Sequence, residues 1–185
     1  VYLMLLGTYL GFAVFRAKSE RVFLFTGSLL AIIYLVLLPP MSVPDEPQHY
    51  VQAYHYLNVL TGVEKNDSKT VQIDLEDYHA METYQTTPSL TEYDILKKEL
   101  LRSGREGGTT QIDYTDTQAP KITYVPGMLG IALGRLIGLN GLLVILLGRF
   151  FSILCYLITM YWFIRLMPFA KAAAFILAIL PITVQ

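Results

Sequence analysis

Two apolar tracts flank one long polar, acidic tract, and this partition constrains the fold more than any other feature. Between Ser42 and Thr123 lie fourteen of the fifteen acidic residues but only seven of the fourteen basic ones. Outside that segment Glu20 is the single acid, set among apolar runs that approach or exceed the ~20 residues needed to cross a bilayer. The chain as a whole is 16% charged and 54% hydrophobic, against about 25% charge for an ordinary soluble domain. These features exclude a plain cytosolic globule and a disordered chain. A net charge of −1 argues against a basic nucleic-acid binder. Cys155 is the only cysteine, so neither an intrachain disulfide nor a cysteine metal cage is possible.

The apolar runs predict an integral membrane protein with the lipid bilayer as its first partner. Val1–Phe15 is a short first run and lacks the basic start and small-residue cleavage site of a signal peptide. Val22–Leu38 is the second and stops at Pro39-Pro40. Arg16, Lys18 and Arg21 in the link between them place that link in the cytoplasm and the acidic segment on the extracytoplasmic side of the cell membrane. Further on, the pattern allows a helix over Tyr124–Leu139 running inward, then Leu142–Met167 running outward, or else one run continuing to Leu147; the first reading is preferred. It puts Arg135 near the cytoplasmic side but leaves Arg165 and Lys171 outside, against the positive-inside bias. A last run, Phe169–Gln185, has no stop signal, and the chain reads as part of a larger polytopic protein. The expected organisation is residues 1–41 as two transmembrane helices, 42–123 as an extracytoplasmic loop with amphipathic helices, and 124–185 as further transmembrane helices.

Inside the loop, Pro47 suits the first turn of a helix reaching about Leu60, with Asp45 and Gln48 spaced as a capping box. Tyr50, Val51, Tyr54 and Leu57 share one face, suited to the membrane surface or the transmembrane bundle. A second helix is expected over Glu92–Ser103, opened by Thr91 and Asp94 and closed by Gly104. Glu64–Thr87 reads as irregular and Arg105–Thr117 as a mobile loop.

Pro44-Asp45-Glu46-Pro47-Gln48-His49-Tyr50 is the strongest candidate for chemistry, because it follows a transmembrane exit where an aqueous acceptor and a lipid-borne substrate can meet. Asp45 and Glu46 lie one turn from His49, and adjacent carboxylates can divide labour between general base and cation ligand. The bland alternative is that Asp45 caps the helix, Glu46 complements its dipole and His49 is interfacial. His49 and His55 point to opposite faces and make poor zinc geometry. Asp74, Glu76, Asp77 and His79 could hold a divalent cation but read more readily as a solvated face, and Tyr84 carries no distinct signal. Arg135 and Arg149 are charges in apolar surroundings, suited to a lipid phosphate or, for Arg135, to snorkelling at the interface. Gly130, Gly134 and Gly138 are spaced for close helix packing.

The order of a transmembrane helix, P-P-x-S-x-P-D-E-P-x-H, a helix, a long loop, Tyr124-x-Pro126, Gly148-Arg149 and a final L-P-x-T-x-Q resembles an uncharacterised family of bacterial polytopic membrane proteins related to the GT-C glycosyltransferases. The resemblance covers roughly Val22–Gln185, the N-terminal part of such an enzyme, and leaves Val1–Phe15 as an extra helix. It implies an all-α integral membrane protein with GT-C-like transmembrane helices and a large, partly helical first extracytoplasmic loop. It further implies transfer of a sugar from a polyprenyl-phosphate-linked donor to a glycan, lipid or protein acceptor. Asp45 takes the position of the general base, with Glu46 beside it. His49, Tyr50, Arg149 and Lys121 become the substrate-binding candidates, the two cations suiting the departing phosphate. Some GT-C members need a divalent cation, Mg or Mn, for which Asp45 and Glu46 are the candidate ligands. The competing expectations are a noncatalytic subunit or sensor of envelope polysaccharide assembly and, more remotely, a transporter.

Overall fold

The computed structural model describes residues 18–43, 45–83, 90–102, 104–105, 107–116 and 119–179. Val1–Phe15, Pro44, Tyr84, the capping side chain of Thr91 and the final L-P-x-T-x-Q lie outside the described residues. The chain is mostly helical and forms two compact units, one from 1–37 with 153–185 and one from 38–152.

In the first unit, α1 (Ser19–Leu37) is apolar nearly throughout and ends just before Pro39 and Pro40, where proline cannot extend a helix. Val22, Phe23 and Ala31 pack with Ile153, Leu157 and Ile164 of the distal half of α6 (Gly141–Leu166) and with Ala174, Phe175 and Ala178 of α7 (Lys171–Ile179). Gly27 packs closely on Leu157, whose Cδ2 would lie 2.9 Å from a Cβ there. Phe25, Ile32, Val36, Ile158, Phe163 and Leu177 remain exposed. Helices α1 and α6, of 19 and 26 residues, are both long and apolar enough to cross a membrane.

The second unit is built around α2 (Glu46–Leu60), β1 (Thr70–Asp74), α3 (Leu75–Thr83), α4 (Leu90–Leu101), β2 (Thr109–Asp113), a 3-10 turn (Lys121–Tyr124), α5 (Val125–Leu136) and the first half of α6. Helix α2 is not an amphipathic surface helix, as expected above, but a central one. Tyr50, Val51, Tyr54 and Leu57 are buried as their spacing predicts, and so are Gln52, His55 and Asn58 on another face. Burial of that polar face is possible because the loop supplies its partners. Asn58 Nδ2 donates to Gln72 O at 2.7 Å and to Glu64 Oε1 at 2.9 Å, and His55 Nδ1 lies 3.0 Å from Glu64 Oε2.

The all-α expectation needs correction. β1 and β2 form an antiparallel ribbon in the register Thr70↔Asp113 to Asp74↔Thr109. Val71 and Ile73 point inward and are fully buried, the period-2 burial of a strand. The segment read as a mobile loop thus contains a strand, and the segment read as irregular contains β1 and α3.

Helix α5 carries Pro126 in its first turn and is followed by Gly138, whose φ of 72° lets the chain reverse; Leu139 N donates to Gly134 O at 2.9 Å. Asn140 then caps α6 by accepting from Leu143 N at 2.9 Å. The break between two helices is therefore the one preferred from sequence. Gly130 packs against the backbone of Gly148, where a Cβ would come within 2.6 Å of its Cα, and Gly134 packs on Val144. Gly138 does not join this packing face; its role is the turn. At 12 residues α5 extends about 18 Å, well short of the ~30 Å hydrocarbon core.

Candidate functional site

Asp45 precedes α2 with φ 64° and ψ −6°, a left-handed conformation that asparagine and aspartate tolerate better than other side chains do. Its carboxylate makes no capping bond, so the expected Asp45–Gln48 capping box is absent, and the side chain is exposed. Asp45 O accepts from His49 N at 3.0 Å, the first bond of the helix.

The next residue holds this arrangement. Glu46 places both carboxylate oxygens on the guanidinium of Arg149, which also donates to Leu38 O at 2.8 Å and Pro39 O at 2.9 Å. Arg149 is 9% exposed. The planar fork suits this task because it binds a carboxylate in a bidentate fashion and still has N–H groups for two carbonyls. The clamp ties the chain after α1 to the first turn of α2, and Asp45 lies between its two attachment points. Arg149 was expected to face a departing phosphate, and Glu46 a metal ion; here each engages the other.

His49 is exposed, and its Nδ1 lies 3.0 Å from the Tyr124 hydroxyl. Tyr124 also packs on Tyr56, ring centroids 5.6 Å apart. Tyr50 does not face an open site as expected. It is buried against Tyr54, and its hydroxyl has no hydrogen-bond partner among the described residues. Burial, reinforced by the nearby Asp77 charge, pushes the Tyr50 hydroxyl well above its usual range. Lys121 lies apart from Asp45, donating to Asn66 Oδ1 at 2.7 Å above the ring of Tyr56.

The acidic run after β1 is not a solvated face. Arg105 donates to Asp74 Oδ2 at 2.6 Å, Asp77 Oδ2 at 2.7 Å and Leu139 O at 2.8 Å. Arg135 Nε lies 3.0 Å from Asp74 Oδ2 and its guanidinium stacks over Tyr54. Arg135 is therefore partnered by the loop and α2. Glu76 engages Arg102 and accepts from Gly141 N at 3.2 Å. Tyr54 donates to Asp77 Oδ2 at 3.0 Å and accepts from Asp74 N at 3.0 Å. Burial raises the Asp77 pKa above its ordinary value despite the Arg105 contact. Among the described residues no group of three or more His, Cys, Asp or Glu side chains is placed to hold a metal ion.

Sequence reasoning missed the buried roles of Gln52, His55 and Asn58, whose i, i+3, i+6 spacing marks a polar stripe along α2. It also missed Glu64, which gathers His55, Asn58 and the Gln72 backbone, and which no local pattern distinguishes.

No curated protein and no solved structure matches the chain significantly. Residues 28–185 match the family of predicted membrane proteins designated DUF2142, and the chain belongs to that family.

Proposed function

We propose that the chain is part of a membrane glycosyltransferase of GT-C type, in which Asp45 acts as general base on an acceptor hydroxyl at the extracytoplasmic face. The observation that carries this reading is the exposed Asp45 carboxylate on a left-handed backbone, bracketed by the Arg149 clamp just after an apolar helix. Strained backbone held in place by surrounding bonds concentrates at functional sites. A carboxylate accepting the proton of an acceptor hydroxyl sharpens it as a nucleophile while a polyprenyl phosphate departs from the donor sugar. The sugar is transferred to oxygen, the proton passes to Asp45, and the phosphate keeps the electron pair of the broken bond. In this reading Arg149 and Glu46 are positioning residues, and His49 with Tyr124 lies on the acceptor side.

The proposed topology keeps 38–140 extracytoplasmic and runs α6 inward from Gly141. Arg165 and Lys171 then join Arg16–Arg21 in the cytoplasm, in line with the positive-inside bias.

The test is transfer from radiolabelled polyprenyl-phosphate sugars in membranes holding the intact protein, with Asp45→Asn and Asp45→Gly beside it. Both variants are expected to lose transfer. Asp45→Gly is expected to be as stable as the parent or up to about 1 kcal/mol more so, because glycine adopts a positive φ without strain. Full transfer by Asp45→Asn removes Asp45 from the mechanism. No transfer by any form across a broad donor panel favours the second reading, a noncatalytic subunit or sensor of envelope polysaccharide assembly. The ion pairing that occupies Glu46 and Arg149 is the observation on that side.

A further inference from the structure

Helix α2, the turn before β1, and the segment after β2 enclose a cleft of about 260 Å³ in the second unit. Its floor is His55 and Tyr56, 1% and 8% exposed. Tyr114 stacks on His55 with ring centroids 4.4 Å apart and planes at 29°. Beneath them Gln52, fully buried, donates from Nε2 toward Tyr56 Oη at 2.8 Å, Tyr114 Oη at 2.5 Å and Asp116 Oδ1 at 2.9 Å. One amide nitrogen has fewer hydrogens than these three acceptors, so they share them as one tightly placed cluster. Burial and the Asp116 charge raise the Tyr114 pKa, so its hydroxyl stays protonated and can donate.

The rim is formed by Asn66, Asp67, Ser68 and Lys69, with Lys121 reaching across to Asn66. Two carboxylates, Asp67 and Asp116, oppose two ammonium groups, Lys69 and Lys121, so the lining carries no net charge from these groups. A phosphate or a carboxylate placed here would face both acids, and a cation would face both lysines. A neutral molecule bearing several hydroxyls meets donors and acceptors on every side and ring faces for its C–H surface. The volume lies just under the ~300 Å³ lower end for drug-sized ligands, which suits one ring and not a chain.

We infer that this cleft binds a single uncharged sugar ring. As a binding site it stands on the cleft alone. As the subsite for a saccharide acceptor it rests on the transfer reading above: Tyr56 packs on Tyr124, and Tyr124 reaches His49, one turn from Asp45.

The experiment is saturation-transfer NMR on the intact protein in lipid nanodiscs. The probes are the methyl glycosides of glucose, galactose, rhamnose and N-acetylglucosamine, run against glucuronate and glucose 1-phosphate. Binding of at least one neutral glycoside is expected, in preference to both anions. Asp67→Ala, at the exposed rim, and Tyr114→Leu are each expected to weaken it about tenfold or more, the loss of one charge-assisted hydrogen bond or one ring face. Asp113→Ala, exposed on β2 and outside the lining, serves as the control and is expected to leave it unchanged. Absence of signal from every neutral glycoside overturns the inference. So does tighter binding of either anion, or binding unaltered by both Asp67→Ala and Tyr114→Leu. Glycoside binding without sugar transfer keeps the cleft and removes the transferase reading; transfer without glycoside binding does the reverse.

Discussion

Replacing Arg149 with methionine keeps most of the apolar stem and removes the guanidinium fork. Leu38 O and Pro39 O then lose donors at 2.8 and 2.9 Å, and Glu46 loses a bidentate partner. The ion pair is largely shielded, with side-chain exposures of 7% for Arg149 and 17% for Glu46. Truncating one partner of a buried pair costs about 3–5 kcal/mol, mainly through the charge left behind. Water can reach Glu46 in part, which favours the lower end. Each stranded carbonyl adds up to about 1 kcal/mol where water cannot replace the donor. A loss of about 3–4 kcal/mol is expected for Arg149→Met. Glu46→Gln leaves the fork on both carbonyls and is expected to lose about half as much.

Lysine carries the charge but not the planar fork, so Arg149→Lys should fall between the parent and Arg149→Met. The assay is unfolding in mixed micelles titrated with SDS and read by pulse proteolysis of the 38–152 unit. The double variant Glu46→Gln/Arg149→Met should be more stable than the sum of its parts by about 1–3 kcal/mol, since the two side chains share one interaction. A loss below about 1 kcal/mol for Arg149→Met, or strict additivity in the cycle, would refute the clamp as the element that fixes the entry to α2.

Gly130→Ala places a Cβ within 2.6 Å of Gly148 Cα, where backbone has to move. A loss of about 1–3 kcal/mol in the same assay is expected, whereas Gly127→Ala, whose nearest neighbour is Ala53 Cβ at 3.6 Å, should be tolerated. Asp77 has a pKa raised by burial above its ordinary 3.8, so the folded state keeps this proton at a pH where the unfolded state has lost it. Its contribution to stability is fully present below 3.8 and is lost as pH rises through the raised value. The difference in Tm between the parent and Asp77→Asn should therefore change as pH rises from 3.8 through the raised value; a constant difference would contradict the burial argument.

Helices α1 and α6 were legible because a long apolar run is a strong, local signal. The turn between α5 and α6 was legible from Asn140 alone, a capping residue in an otherwise apolar stretch. The ribbon was harder: Thr70–Asp74 and Thr109–Asp113 both alternate and both end in Gln-Ile-Asp, but five residues are too few to separate a strand from a polar connection. The site was half legible. The Asp45–Glu46 pair stood out by its place after an apolar helix, but the partner of Glu46 lies 103 residues away, and no spacing rule reaches that far. Arg135 and Arg149 looked like lipid-facing or phosphate-facing charges because their carboxylates sit in a loop whose path the sequence does not encode locally.

The same long-range pairs bear on topology. Both ends of α5 are tied to the acidic loop, the start through Tyr124 and His49, the end through Arg135 to Asp74 and Leu139 to Arg105. On the proposed topology, a helix of about 18 Å fastened at both ends to the extracytoplasmic loop does not also cross the bilayer. Ile122 of the 3-10 turn and Val125, Leu129 and Leu133 of α5 are exposed at helical spacing and form an apolar stripe suited to lying along a membrane surface. On the proposed topology, in a Cys155→Ser background, Leu136→Cys and Asp113→Cys should react with a membrane-impermeant maleimide from the outside of intact cells. Phe169→Cys, beyond the end of α6, should react only after the cells are opened. Labelling of Leu136→Cys together with Phe169→Cys, and apart from Asp113→Cys, would mean that α5 crosses after all, and the ion pair between Arg135 and Asp74 could not exist in the membrane-embedded protein.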